Sequence, residues 1–236
     1  MPLGVRADLA PTNLTAEAIL ARVLANRPAK DFSLKARLFV TREQTVPVEI
    51  LVKNTATETR TIYRTGKQKF LVVQPVRGEP RFYASDVGEL TGSRRMERLF
   101  GSEFSCYDLG LPFLQWPETK LLGEDRTRGR YCYLLEARAT AEPYAHAKLW
   151  IDKEYCGLLR VEAFNADHNV VKRLAITSFK RIGELWIPRG MECASLPPGQ
   201  SLPSEVRSRL EIYEGNYDVK LPDEWFAADQ FVAPAP

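Results

Sequence analysis

The sequence predicts a mainly β protein of the α+β class, built on one strongly curved antiparallel sheet, or incomplete β-barrel, that is closed by helices. Three observations predict this fold. Runs in which every second residue is apolar recur along the chain. Short turns that contain Gly, Asn or Asp separate these runs. We count about ten or eleven strands against one early helical segment, and so many strands do not stay in a flat open sheet.

Composition and charge are those of an ordinary globular protein. Of the 236 residues, 44% are hydrophobic and 27% are charged. The 33 Lys and Arg residues and 30 Asp and Glu residues are interspersed and leave a net charge of +3, which argues against nucleic acid as a partner. No apolar run reaches the roughly eighteen residues of a membrane-spanning helix. We expect a single domain over residues 14–226, followed by a loosely attached C-terminal tail at residues 227–236.

The first thirteen residues carry a weak export pattern. Val5 and Ala7 occupy the two positions that a signal peptidase reads before Asp8. We therefore expect residues 1–13 to be the remnant of a signal peptide and an N-terminal tail. A frayed tail without any targeting role is the alternative.

The first element is an amphipathic helix over residues 14–27. Thr15 can cap it, and Pro28 ends the pattern. Its apolar stripe must lie against another apolar surface, most simply a sheet. The stripe consists of Ile19, Leu20, Val23 and Leu24.

The period then changes to two, which is typical of half-buried strands. In residues 32–40 the even positions are apolar, and residues 46–52 repeat the pattern. Short β-rich runs follow at residues 60–64, 68–74 and 80–85. The residues that we expect to line the concave face of the curved sheet are Leu34, Leu38, Val40, Ile50 and Val52.

The middle of the chain predicts a cover for that face. Residues 102–109 predict a short helix that Gly110 and Pro112 end. Residues 111–117 are bulky and apolar and lie between prolines, so they cannot form a central strand and should form a covering loop. The candidate covering residues are Phe104, Tyr107, Leu111, Phe113, Leu114 and Trp116.

The second half predicts a long antiparallel meander. Its strands are expected at residues 129–139, 144–152, 157–165, 170–182, 184–195 and 204–216. Cys132 and Cys156 should fall at the same end of adjacent strands, which makes them the first candidates for a disulfide in an exported protein. Alternatively, all four cysteines, Cys106, Cys132, Cys156 and Cys193, are small buried apolar side chains.

Catalytic and metal-binding patterns are scarce. His146 lies in an expected strand and His168 in an expected hairpin turn, and neither has a nucleophile or a metal ligand at motif spacing. The cysteines form no zinc-type pair. We therefore expect no catalytic residues, no metal, no cofactor and no enzymatic activity.

The apolar concave face of the predicted sheet is the remaining feature that could carry a function. If the helices and the covering loop fill the concave face, the result is an ordinary core. If they cover it incompletely, the result is a pocket for an apolar ligand. Both outcomes are open at this point.

Several stretches of the chain carry a family resemblance. They are LTAE at residues 14–17, RTIYR at 60–64, GSRRMERL at 92–99, GSEFS at 101–105, WIDK at 150–153, GLLRVE at 157–162, SFK at 178–180 and WIP at 186–188. Together they resemble the LolA-like family of periplasmic lipoprotein carriers, in the branch called outer membrane lipoprotein-sorting protein. The similarity spans residues 14–216.

The resemblance implies an incomplete barrel whose apolar cavity shields lipoprotein acyl chains or other lipids on their way through the periplasm to the outer membrane. It also implies transient partners, namely membrane-associated donor and acceptor proteins. The alternative is a periplasmic sensor or scaffold that binds a protein partner on the same fold.

Overall fold

A single antiparallel sheet carries most of the chain in the computed structural model, which describes residues 14–85, 87–140, 143–196 and 206–231. The first six strands are β1 (Phe32–Phe39), β2 (Thr45–Asn54), β3 (Glu58–Thr65), β4 (Gln68–Pro75), β5 (Arg81–Ala84) and β6 (Gly88–Glu89). The others are β7 (Glu118–Thr127), β8 (Arg130–Arg138), β9 (His146–Asp152), β10 (Leu158–Phe164), β11 (Val170–Ile182), β12 (Leu185–Ser195) and β13 (Val206–Tyr217). The helices are α1 (Ala16–Ala25) and α2 (Cys106–Leu109), and 3₁₀ turns lie at Gly92–Met96, Leu99–Gly101, Pro112–Leu114, Asp223–Phe226 and Ala228–Phe231.

The strand order joins two antiparallel meanders through the first and last strands. It runs β6-β5-β4-β3-β2-β1-β13-β12-β11-β10-β9-β8-β7. Strand β1 pairs with β2 on one side and β13 on the other, so that Phe32 lies opposite both Val52 and Tyr217. Strands β6 and β7 are the two edges and do not pair with each other. The sheet is therefore open rather than a closed barrel, as the sequence predicted.

Helix α1 forms where its sequence pattern predicts. The Thr15 hydroxyl accepts a hydrogen bond from the backbone N–H of Ala18 at 3.2 Å and caps the first turn. The apolar stripe faces the core: Ile19 and Leu20 are buried, and Val23 and Leu24 are half-buried against the same cluster.

The position of α1 shows how strongly the sheet curves. Just after the helix, the Arg27 guanidinium donates to the carbonyl oxygens of Gln74 and Pro75 in β4, at 3.2 and 3.1 Å. In its first turn, Glu17 accepts a hydrogen bond from the hydroxyl of Thr119 in β7 at 3.3 Å. β4 and β7 lie near opposite ends of the strand order. Because one helix of about 15 Å reaches both strands, the sheet must curl around it.

Most predicted strands are confirmed, and two strands were missed. The described residues form thirteen strands, whereas the patterns indicated about ten or eleven. Strand β7 was missed because it is an edge strand with mostly exposed or half-exposed side chains, which gives no alternation of buried apolar residues. Strand β6 has only two residues and carries no pattern at all.

Two local predictions need correction. The helix expected over residues 102–109 covers only α2, because Ser105 caps it in a reciprocal pair of hydrogen bonds with Asp108. The C-terminal tail is not loosely attached where it is described. Phe226 and Phe231 are buried against the outer face of the first meander. The predicted tail at residues 1–13 and the last five residues lie outside the described part of the chain.

The four cysteines are free thiols in the structure, so the suggested bridge between Cys132 and Cys156 is not formed there. Cys106, Cys132 and Cys193 are buried, which agrees with the alternative of small apolar side chains for those three. Within the described ranges, no helix is long and apolar enough to cross a membrane.

The packing of the concave face can be tested through Leu38, which has no exposed surface. We expect Leu38→Ala to lower the free energy of unfolding by about 2–5 kcal/mol, because it leaves a cavity in a packed interior. The control Leu122→Ala changes a leucine that is 42% exposed on the edge strand and should shift this free energy by less than about 0.5 kcal/mol. Urea unfolding measures both values. A loss below about 1 kcal/mol for Leu38→Ala would show that this face is not tightly packed.

Candidate functional site

The concave face of the sheet is apolar and lies where the alternation placed it. In the register of β1 and β2, Leu34 lies opposite Ile50, and Phe32 lies opposite Val52. All five expected lining residues are buried within one core cluster. The structure thus places them in the core, and their contact with a ligand stays a prediction. The five are Leu34, Leu38, Val40, Ile50 and Val52.

A segment between β6 and β7, which we call the covering segment (residues 99–116), packs onto this face. Of the six candidate covering residues, five are buried and Leu111 is half-buried, and all pack in the same cluster as the concave face. The five buried ones are Phe104, Tyr107, Phe113, Leu114 and Trp116. Aromatic side chains of the covering segment therefore pack against the concave face.

The backbone of the covering segment is strained and closely fitted. Phe100 and Leu111 have φ angles of 52° and 48°, in the left-handed region that large side chains avoid. Gly110 lies against Phe82, and a Cβ at this glycine would come within 2.6 Å of the ring. The side chain of Gln74 donates to the carbonyl oxygen of Gly110 at 2.9 Å. Contacts with the sheet therefore hold a conformation that the segment would not keep alone.

A buried polar cluster joins the covering segment to the second meander. Sequence patterns did not reveal it, apart from the Ser-x-x-Asp spacing that is typical of a helix cap. Its members come from sites far apart in the sequence. They are Glu103, Ser105 and Asp108 of the covering segment and Tyr144, Lys172 and Ser195 of the second meander.

Asp108 is the centre of one half of this cluster. Its carboxylate accepts hydrogen bonds from the hydroxyl of Tyr144 and the hydroxyl of Ser105, both at 2.7 Å. The ammonium of Lys172 lies 3.5 Å from the same carboxylate. Asp108 is 2% exposed. A buried carboxylate with these partners anchors α2 to strand β11.

Glu103 is the centre of the other half. The hydroxyl of Ser195 donates to its carboxylate, and Arg98 forms an ion pair with the second oxygen at 2.7 Å. The backbone carbonyl of Glu103 accepts from Lys172 at 2.5 Å, and its N–H donates to Ser208 at 3.0 Å. Side chain and backbone of one residue thus contact strands β11, β12 and β13. The covering segment is fixed at its start by this residue.

Burial and the neighbouring charged groups together set the protonation states of Tyr144 and Lys172. Burial and then the neighbouring Asp108 raise the pKa of the Tyr144 hydroxyl well above its ordinary value, so Tyr144 remains a neutral donor. Burial opposes the charge of Lys172, but Asp108 and its other neighbours outweigh this effect and raise the pKa of Lys172. Lys172 is therefore charged and Asp108 has a permanent counter-ion.

The two histidines lie on a strand and in a turn, as the sequence predicted. His146 stacks on Phe164 with 4.4 Å between ring centroids, and burial lowers its pKa, so it packs as a neutral ring. His168 occupies a turn with a φ angle of 60°. No group of three or more potential metal ligands occurs among the residues that the structure describes.

Comparisons with known proteins agree with this architecture. A family model described as "-like: Uncharacterized protein" matches residues 84–232, more than half of the chain. No curated protein matches the sequence. A DUF1329 family protein from Desulfovibrio piger has a similar structure, with a TM-score of 0.76 and 18% sequence identity, over 91% of this chain and 97% of that one.

Two further solved structures are similar. A domain from Vibrio parahaemolyticus, described as an outer membrane lipoprotein-sorting protein, has a TM-score of 0.75 and 16% identity over 91% of this chain and 95% of its own. A LolA superfamily protein from Nitrosomonas europaea has a TM-score of 0.55 and 17% identity over 92% and 99%. At these identities the likeness shows the fold, which is LolA-like.

The contribution of the polar cluster is testable at Lys172. We expect Lys172→Met to lower the free energy of unfolding by about 3–5 kcal/mol, because it leaves the buried Asp108 carboxylate without its counter-ion. Lys67→Met, in the exposed turn between β3 and β4, is the control and should change it by less than about 0.5 kcal/mol. Equal effects in chemical denaturation would contradict an anchoring role for Lys172.

Alkaline pH should weaken the same region through Cys193. Burial and then Asp108 raise the pKa of the Cys193 thiol well above its ordinary value of 9.0. The folded protein then keeps a proton that the unfolded chain releases, so stability falls as the pH rises above about 9, by up to about 1.4 kcal/mol per pH unit for this group. Cys193→Ser should flatten this decline, measured by urea unfolding between about pH 8 and pH 10. Parallel curves for wild type and variant would refute it.

Proposed function

Because this chain belongs to the family whose model matches residues 84–232, and has a LolA-like fold, we propose that it is a non-enzymatic carrier of acyl chains. The cargo is a lipoprotein or another lipid, held against the concave face of the sheet. The protein acts in the periplasm and moves its cargo towards the outer membrane. Its partners are transient: a membrane-associated donor and a membrane-associated acceptor.

One observation carries the proposal: the concave face is closed by a separate segment rather than by strand pairing. The covering segment contributes aromatic rings such as Phe113 and Trp116 to the apolar cluster, yet its attachment to the second meander runs through hydrogen bonds and ion pairs. Such a segment can leave as a unit and expose the apolar face. An acyl chain can then take the place of the rings.

In this exchange, the covering segment and the acyl chain compete for the same apolar face of the sheet. Each methylene group that leaves water contributes about 0.8 kcal/mol, so a long acyl chain strongly favours an apolar site. The covering segment occupies that site in the absence of cargo, and its burial offsets part of this gain. Binding therefore shifts the population from a covered to an uncovered form. Reclosure of the segment favours release to the acceptor.

A scaffold that binds a protein partner is the second candidate. It is favoured by the packing of the protein's own side chains against the concave face. In that case the covering segment has no reason to move, and no acyl chain enters. The two candidates therefore differ in whether loosening the covering segment creates a lipid site.

Acyl-chain uptake decides between these candidates. We expect Tyr144→Phe, which removes one hydrogen bond to Asp108, to raise the apparent affinity for a fluorescent fatty acid about fivefold, because the uncovered form becomes more populated. Trp116→Ala should also raise it. The controls are Tyr213→Phe and Trp186→Ala, whose side chains are 53% and 44% exposed.

The measurement is a fluorescence titration of wild type and the four variants, repeated with a diacylated lipopeptide. Increased uptake by Tyr144→Phe and Trp116→Ala, without an increase in the two controls, supports the carrier. Trp116→Ala with unchanged binding, or no uptake by any of the proteins, would reject the carrier in favour of the scaffold.

A further inference from the structure

Charged side chains form two cross-strand rows on the outer face of the second meander. The proposed carrier function does not use them. Residues directly opposite each other in an antiparallel sheet share a face, and residues two apart on a strand do as well. One row across β10 to β13 consists of Glu162, Arg173, Ala194 and Arg207. The next row consists of Arg160, Ala175, Glu192 and Arg209. Their chain neighbours Val161, Leu174, Cys193 and Leu210 are buried in the core, so both rows face outward.

Two small residues in these rows leave a groove. Ala175 and Ala194 form its floor, and longer side chains stand around them. The cleft has a volume of about 300 Å³. The groove thus lies on the face of the sheet opposite the covering segment.

The hairpin between β7 and β8 completes the groove from above. Asp125 in β7 accepts a hydrogen bond from the indole N–H of Trp150 at 2.8 Å, which holds the hairpin over the outer face of β9. At the turn, Arg128 has a φ angle of 48° and reaches across to within 3.6 Å of the Glu192 carboxylate. A residue remote in sequence from the rows is thereby brought to their groove.

The charges in and beside the groove are unequal. Among the described residues, four guanidinium groups line it, those of Arg128, Arg160, Arg173 and Arg207. Within the described part of the chain they contact two carboxylates: Glu192 contacts Arg128 and Arg207 (at 3.3 Å), and the adjacent Glu162 contacts Arg160 and Arg173 (at 2.9 Å). The described lining of the groove thus holds four guanidinium groups and one carboxylate, that of Glu192.

Arg160 supplies a further sign of a binding site. Its guanidinium lies over the Trp150 ring, 4.4 Å from the centroid, which fixes its plane. Its Nε is buried and has no hydrogen-bond partner among the described residues. A guanidinium held in a fixed plane beside the groove is suited to the planar contact that such groups make with an oxyanion.

We propose that this groove binds a phosphate group, either free or as the phosphate of a lipid headgroup. Guanidinium groups bind phosphate oxygens in a planar, two-pronged geometry, and here they approach from the hairpin above and from the strands below. A phosphate in the groove replaces Glu192 as the partner of Arg128, whose present contact of 3.6 Å is longer than a hydrogen bond. This site is separate from the apolar face and does not depend on the proposed carrier function.

Calorimetric titration with inorganic phosphate and with glycerol 3-phosphate, together with cosedimentation on phosphatidylglycerol vesicles, tests the site. The double variant Arg128→Gln/Arg207→Gln should weaken binding at least about tenfold, because two charge-assisted contacts are lost. Both side chains are about half exposed, so the fold should tolerate the change. Glu192→Gln should strengthen binding, because it removes the competing carboxylate.

The matched control is Arg37→Gln/Arg77→Gln, which removes the same charge at two exposed arginines outside the groove. Free phosphate is the ligand if the small anions bind more strongly to Glu192→Gln and more weakly to the groove double variant than to wild type. A lipid headgroup is the ligand if these differences in affinity appear on vesicles alone. Equal losses in groove and control variants, no binding of any of the three probes, or a preference for polyglutamate over all of them would overturn the proposal. Fatty-acid uptake should not change in the groove variants.

Discussion

The contact between the covering segment and the concave face of the sheet is the interaction on which the rest of the structure depends. A thirteen-stranded antiparallel sheet cannot remain flat, and its curl creates an apolar hollow between two meanders. That hollow has to be filled, because exposed apolar surface of this extent is unfavourable in water. Helix α1 fills one part, and the aromatic residues of the covering segment fill the other.

The two ways in which the covering segment is held have different consequences. Apolar packing by residues such as Phe104 and Phe113 is not directional, so an acyl chain can substitute for it. The buried polar cluster around Asp108 and Glu103 is directional and has no equivalent in a lipid. It therefore specifies the covered form, and under the proposed carrier function it sets how much binding energy a cargo must supply. The strained φ angles of Phe100 and Leu111 act in the opposite direction and favour opening.

Sequence periodicity predicted the elements that bury one face regularly. In β1, β2 and α1 the apolar residues recur at the positions whose side chains are buried. The sequence therefore predicted where these elements lie and which of their residues face inward. Strand β7 could not, because an exposed edge imposes no such pattern. The phenylalanines at 226 and 231 were also missed, since the apolar residues around them show no helical or strand-like spacing.

The functional features were predictable only in part. Bulky residues between prolines indicated a cover, and the structure places all of them at the concave face. The polar cluster was not foreseeable, because Asp108 and its partner Lys172 are brought together by the register of β11, which sequence alone does not determine. The same holds for the arginine groove, whose rows exist only once four strands are aligned.

The central claim is that the covering segment leaves the concave face when an acyl chain binds. Amide hydrogen exchange of the protein with and without a bound diacylated lipopeptide tests it directly. The account predicts faster exchange in residues 99–116 of the complex, while the amides of β1 and β2 keep their protection. Unchanged exchange in residues 99–116 of a complex that has bound the lipopeptide would contradict it, because the cargo would then lie elsewhere.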